Sequence, residues 1–296
     1  MSTGTFTSVA KVREDRQPGW LTKNSLLVYG LLAYGVSWGI TFGAVAAMQN
    51  GRLDPDGTLA SVLGQIAAAS PALAALIVIA ATRGRRGIAD LLHSLTKWRV
   101  GLPWYFVALF GIPLVVLSTY SVLYWAPLFQ TLSQQWTILF TAFLPAVIFT
   151  FFVTGLAEEP GWRGFALPGI QAKYGPLLGS LILGVFWAFW HLPNMILWEI
   201  PMIFALLQLL AVMINTLLHT WMYNKTQGSV FISMLFHAAG NVTPGLVSFL
   251  AGVDGVTFKT QSYTAGLIGS SLFVLAILLL TRGRLGYEPD RSSESV

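Results

Sequence analysis

Residues 139–157 read LFTAFLPAVIFTFFVTGLA, contain no charged side chain, and end directly before Glu158 and Glu159. About 20 helical residues of this kind are enough to cross the hydrocarbon core of a bilayer. The whole chain agrees with this stretch, because 55% of its 296 residues are hydrophobic and only 10% are charged. Water-soluble domains of this length do not have such a composition. We therefore predict an all-α, polytopic membrane helix bundle.

Further apolar runs of similar length bring the number of predicted transmembrane helices to about eight. The predicted spans cover residues 25–47, 59–81, 104–125, 139–157, 177–197, 201–223, 230–251 and 264–281. Of the 17 lysines and arginines, 15 lie on the side of the N terminus, and only Arg52 and Lys259 lie on the other side. The positive-inside rule therefore predicts cytoplasmic N and C termini. The polar first residues also predict that there is no cleavable signal peptide.

Short connecting segments indicate a single transmembrane domain at residues 25–281, with cytoplasmic tails at 1–24 and 282–296 and a motif-bearing core at about 139–251. Residues 90–98, DLLHSLTKW, are amphipathic and follow an arginine-rich turn. They are either a surface helix on anionic headgroups or an ordinary cytoplasmic loop. The absence of cysteine excludes disulfides, thiolate metal sites, a cysteine nucleophile and a C-terminal prenylation signal on this chain. The expected partners are membrane lipids and not nucleic acid.

Glu158 and Glu159 are acidic residues at the end of a long apolar run, whereas the other ten lie in tails, loops or at span edges. Carboxylates inside a membrane are costly, and they are usually paired and functional. Glu159 and Arg163 are four residues apart and share a helix face, so a salt bridge is predicted. Glu158 then faces elsewhere and is the candidate for chemistry. A helix break at Pro160 would remove the pairing, and the alternative is two interfacial glutamates that merely end a span.

Histidines also lie inside the predicted spans. His191 lies deep in the fifth span, while His237 and Asn241 are four residues apart on one face of the seventh. Buried polar groups in lipid need one another, so these residues and the glutamates predict a functional cluster, with an inert hydrogen-bonded cluster as the alternative. His219, in the sixth span, and His93, in a loop, lack such companions and are interpreted as structural.

Three ordered motifs carry a resemblance to a known family. They are Glu158-Glu159-x-x-x-Arg163, Trp187-x-x-x-His191 and His237-x-x-x-Asn241. Together they resemble the CPBP family, which contains CAAX prenyl endopeptidases and bacteriocin-processing or immunity proteins. The resemblance covers about residues 154–243. The family usually has phenylalanine where this chain has Trp187.

This resemblance implies an intramembrane endopeptidase with a cavity that opens towards the cytoplasm. It implies that Glu158 is the general base and that His191 holds the attacking water. It further implies that His237 and Asn241 donate hydrogen bonds to the tetrahedral intermediate. The expected substrate is either a prenylated CAAX-type C terminus or a membrane-associated peptide, and a bacterial plasma membrane is the expected location.

A zinc-dependent mechanism of peptide hydrolysis is an alternative. Glu158, His191 and His237 are candidate ligands for Zn²⁺ with a water in the fourth position. The sequence contains no His-Glu-x-x-His motif, so a metal-free mechanism is favoured and no cofactor is firmly assigned. Two other functions are considered: a non-proteolytic binding, immunity or scaffold protein, and a small transporter. A transporter predicts inverted repeats, and the motif cluster has no counterpart in the N-terminal half.

The depth of His191 is a geometric difficulty. At 1.5 Å per residue, His191 lies about 21 Å into its predicted span, whereas Glu158 lies near the cytoplasmic end of its own. A straight fifth helix would keep the two side chains apart. Helix tilt, a break at Pro193, or a motif helix that begins deeper would bring them together.

Overall fold

A computed structural model describes residues 19–197 and 200–288, and within them the chain is almost entirely helical and has no β-strand. The helices are α1 (Trp20–Lys23), α2 (Ser25–Gln49), α3 (Thr58–Ala68), α4 (Ser70–Leu95), α5 (Leu102–Tyr124), α6 (Leu128–Gln134), α7 (Leu144–Thr150), α8 (Leu156–Gly161), α9 (Leu167–Tyr174), α10 (Pro176–Trp190), α11 (Leu192–Leu197), α12 (Met202–Lys225), α13 (Val230–Ala251) and α14 (Gly255–Thr281). Most of the two predicted tails lies outside the described residues.

Seven helical segments in the described part of the chain are long and apolar enough to cross a membrane. The count becomes eight if the bent pair α3 and α4 forms one span. The predicted polytopic helical membrane protein is therefore confirmed.

The second predicted span, residues 59–81, is wrong as a continuous helix. The helix ends at Ala68, restarts at Ser70, and bends by 53° between the two segments. Pro71 lies in the first turn of α4. Proline has no N–H and clashes with the carbonyl four residues earlier, so it fits the start of a new helix better than the middle of an old one.

The arginine-rich turn and the amphipathic stretch after it belong to α4. Gly84 interrupts this helix with φ 60° and ψ −151°, a conformation that favours glycine. The stretch then stays helical to Leu95, and Leu91 is buried in the protein core. Residues 90–95 are therefore helical, and residues 96–98 follow the end of this helix.

The motif helix is a single run, Leu139–Tyr174, in which α7, α8 and α9 are joined through π-helical stretches. These stretches are Leu139–Phe143, Phe151–Gly155 and Trp162–Ala166. Pro145, Pro160 and Pro168 each follow a π-helical stretch within a few residues. The carbonyls four residues before Pro145 and Pro168 lie in π turns, which relieves their clash with the proline rings. Pro160 lies within α8, and the run continues past it without a break.

Two groups of buried apolar side chains form the core. One involves α5, α12, α13 and α14, and the other involves α2, α4, α10 and the second half of the motif helix. Gly161 permits the close approach of α8 to α4, because a Cβ atom there would lie 2.5 Å from the backbone carbonyl of Pro71. The motif helix is thus held tightly where it carries its glutamates.

Candidate active site

The two motif glutamates lie in the interior of the protein, within α8. Glu158 is 6% exposed and Glu159 is fully buried. The helix that carries the pair does not end at the glutamates but continues to Tyr174.

Glu159 forms the predicted salt bridge with Arg163. Arg163 Nη1 donates to Glu159 Oε1 over 2.8 Å, and both side chains are fully buried. His237 Nδ1 lies 2.8 Å from the same oxygen. Since a carboxylate oxygen only accepts, Nδ1 carries the proton of this hydrogen bond. Glu159 thus ties the motif helix to α13.

Glu158 is held by tryptophans. Trp187 Nε1 donates to Glu158 Oε2 over 2.7 Å, and Trp162 Nε1 lies 3.4 Å from the same oxygen. The other oxygen, Oε1, lies 4.0 Å from His237 Nε2. This separation exceeds a direct hydrogen bond but is short enough for one bridging water. One oxygen of the carboxylate is therefore fixed, and the other faces an imidazole.

His191 ends α10 and is partly buried. Its Nδ1 lies 2.8 Å from the carbonyl oxygen of Trp187, and this oxygen can only accept. In the neutral ring the proton is then on Nδ1, and Nε2 is free to accept a hydrogen bond. The ring of His191 also packs against that of Trp187, with centroids 6.1 Å apart.

The length of the motif helix removes the depth difficulty. Glu158 lies 16 residues before the helix ends at Tyr174, which corresponds to about 24 Å. His191 lies 15 residues after α10 begins at Pro176, which corresponds to about 22 Å. The third predicted explanation, a motif helix that runs deeper, accounts for their common level.

Asn241 lies one helical turn after His237 but is exposed. Its Nδ2 donates to Thr154 Oγ1 on the motif helix over 3.3 Å. Asn241 therefore lies at the edge of the cluster, while His237 lies inside it.

His219 was missed as a member of this cluster. It is 3% exposed, and its ring lies 5.8 Å from that of His237 and 5.3 Å from that of Trp187. Its Nδ1 is bonded to the carbonyl of Asn215, and its buried Nε2 has no hydrogen-bond partner among the described residues. The interpretation that His219 lacks polar companions is wrong. Its direct neighbours in α12, Leu218 and Thr220, give no sign of where its ring points.

The residues whose side-chain atoms lie close enough together to bind one metal ion differ from the predicted zinc ligands. Within residues 19–197 and 200–288, one such group exists: Glu159, His219 and His237 offer ligand atoms within 4.8 Å of one another. Only His237 is shared with the predicted set. Glu159 Oε1 accepts from Arg163 and His237, whereas Glu159 Oε2 and His219 Nε2 are buried without a hydrogen-bond partner among the described residues. The positive charge of the Arg163 guanidinium beside Glu159 opposes the binding of a metal cation. This group could hold a metal ion, and no cofactor is established.

Comparison with known proteins finds a family match in this part of the chain. Residues 140–243 match the family described as Type II CAAX prenyl endopeptidase Rce1-like. This segment is therefore similar to the Rce1-like family. It contains all three motifs, and the resemblance to the CPBP family is thereby confirmed.

A curated relative of the Rce1-like segment is CAAX prenyl protease 2 of the archaeon Methanococcus maripaludis. It is 28% identical over 156 residues, which cover 50% of this chain and 54% of the relative. The match thus spans about half the length of the relative.

Proposed function

We propose that this protein is an intramembrane endopeptidase in which Glu158 is the general base. The observation that carries the proposal is the position of Glu158 Oε1, which faces His237 Nε2 across 4.0 Å while Oε2 is held by Trp187. A water in this space has a carboxylate as proton acceptor on one side and an imidazole on the other. The printed name of the archaeal relative supports the same reaction class.

In the proposed reaction, Glu158 Oε1 takes a proton from the water, and the water oxygen attacks the carbonyl carbon of the scissile peptide bond. His191, with Nε2 free to accept, orients the water through its second hydrogen. Collapse of the tetrahedral intermediate breaks the carbon–nitrogen bond, and Glu158 returns its proton to the leaving amine.

His237 and Asn241 stabilise the oxyanion in this proposal. His237 donates its Nδ1 proton to Glu159, so it donates from Nε2 only as an imidazolium. The carboxylates of Glu158 and Glu159 supply the opposite charge. Arg163 keeps Glu159 in place and takes no part in proton transfer.

The proposed mechanism uses no metal. The test is to measure cleavage with and without a chelator such as EDTA or 1,10-phenanthroline. We expect the cleavage rate with chelator to stay within about twofold of the untreated rate. Loss of cleavage that added Zn²⁺ restores would contradict the metal-free mechanism and favour a metal held by Glu159, His219 and His237.

The substrate is proposed to be either a prenylated C terminus or a membrane-associated peptide, cleaved near the cytoplasmic face. The test uses purified wild-type protein in detergent with a farnesylated CAAX peptide and, separately, an unprenylated membrane-peptide pool. Wild type is expected to cleave at least one of them, and the substrate that is cleaved identifies the class.

Three variants test the catalytic assignment. Glu158→Gln, His191→Ala and His237→Ala are expected to lower kcat by about 10²-fold or more, since each removes a general base or a transition-state contact. Glu288→Gln, an exposed carboxylate at the far end of the described chain, is the matched control and retains full activity. A wild-type cleavage rate in Glu158→Gln would refute the assignment of Glu158 as the general base. A folded wild type that cleaves neither substrate would favour the non-proteolytic binding or immunity function.

A further inference from the structure

Trp187 contacts more of the polar cluster than any one catalytic side chain does. It is 5% exposed and lies near the middle of the cluster. Its neighbours are Glu158 through the 2.7 Å hydrogen bond, Arg163 with Cζ 4.3 Å from the ring centroid, and the rings of His191, His219 and His237 at centroid distances of 6.1, 5.3 and 5.4 Å. A residue in this position sets the geometry of the others.

We propose that Trp187 is a positioning residue for Glu158, whose indole N–H selects Oε1 as the oxygen that accepts the proton. The inference rests on the proposed function and adds to it a determinant of the reaction. Indole is only a donor, so Trp187 cannot take the proton itself. By occupying Oε2 it leaves Oε1 on the side of His237.

The strength of the hydrogen bond supports this role. A donor at 2.7 Å from a carboxylate is in the range of charge-assisted hydrogen bonds, which are stronger than neutral ones. Trp162 approaches the same oxygen only to 3.4 Å, at the limit of hydrogen bonding. Trp187 is thus the main anchor of Glu158 among the described residues.

Arg163 fixes the indole ring in turn. Its guanidinium lies 4.3 Å from the ring centroid, which is cation–π geometry, and it simultaneously binds Glu159. The two adjacent carboxylates are therefore oriented through one connected unit: Arg163 holds Glu159 directly and holds Glu158 through Trp187. A phenylalanine at position 187 would preserve the ring face but would have no donor for Glu158.

The test is Trp187→Phe, which keeps the aromatic ring and removes the N–H. We expect kcat to fall by about tenfold to about a hundredfold, the effect of losing one hydrogen bond to a charged group, while KM stays within about twofold. Trp190→Phe is the matched control. Trp190 is 3% exposed and donates to the neutral Ser70 Oγ over 3.2 Å, so Trp190→Phe also removes a buried indole hydrogen bond, but a weaker one that does not involve Glu158. Its kcat is expected to stay within about twofold of wild type.

A second readout needs no activity. In protein labelled with ¹⁵N-tryptophan, Trp187→Phe identifies the Trp187 indole resonance. Glu158→Gln then moves it upfield, because the acceptor loses its charge. The Trp190 resonance serves as the reference and stays in place.

The outcomes separate the inference from the function on which it rests. Inactivity of the wild type on both substrates would count against the proposed function, while the indole shift would still report the hydrogen bond. A wild-type kcat in Trp187→Phe, a loss of similar size in Trp190→Phe, or an indole resonance that does not respond to Glu158→Gln would overturn the positioning role.

Discussion

Replacing Arg163 by methionine tests the buried ion pair directly. Arg163 and Glu159 are both fully buried, and their contact is 2.8 Å long. Arg163→Met keeps much of the side-chain volume but leaves Glu159 with His237 as its charged or polar partner. Breaking a buried pair from one side typically costs about 3–5 kcal/mol, because the remaining charge is no longer compensated. We expect a loss of this size in the free energy of unfolding.

The assay is reversible unfolding in mixed detergent micelles with increasing SDS, followed by far-ultraviolet circular dichroism. The double variant Glu159→Gln/Arg163→Met removes both charges, so it should recover at least half of the loss. Arg85→Met, at an exposed position of α4, is the control and should change stability by less than about 0.5 kcal/mol. The reasoning would be refuted if Arg163→Met were as stable as the wild type. It would also be refuted if the double variant lost as much free energy of unfolding as Glu159→Gln and Arg163→Met lose together when measured separately.

Further predictions concern packing and the unpaired imidazole. Gly161→Ala should destabilise the protein by about 1–3 kcal/mol, because its Cβ would lie 2.5 Å from the Pro71 carbonyl. Gly39→Ala, which has open space at its Cβ, should be neutral or stabilising in the same SDS titration, and equal effects of both changes would contradict the close approach. His219→Phe removes the Nδ1 hydrogen bond to the Asn215 carbonyl, but it also removes a buried Nε2 that has no hydrogen-bond partner in the described chain. The two effects oppose each other, so stability and cleavage should stay near wild type. Loss of cleavage with an unchanged melting temperature would instead place His219 in the chemistry.

Helical spans and the principal ion pair follow from sequence because their causes are local. Apolar length alone predicts a membrane helix, and the four-residue spacing of Glu159 and Arg163 predicts their contact. The break between α3 and α4 was missed because Pro71 lies in an otherwise continuous apolar run, and hydropathy does not register the missing N–H.

The site was predicted less completely because parts of it depend on tertiary contacts. The depth of Glu158 follows from a helix that stays regular past Pro160 through π turns, which no periodicity reveals. His219 enters the cluster from α12 only after the helices pack. The hydrogen bond from Trp187 to Glu158 joins residues 29 positions apart, so the local sequence around Trp187 does not indicate it.

The π-helical stretches of the motif helix have a consequence for insertions and deletions. A π turn holds one residue more than an α turn, so deleting a residue within Phe151–Gly155 turns it into an ordinary turn and leaves Glu158 and Glu159 facing the same way. Helix α10 has no such stretch, and one deletion there rotates His191 by about 100° away from its partners. Alignments of relatives should therefore carry single-residue gaps before the glutamates and none in the helix that leads to His191.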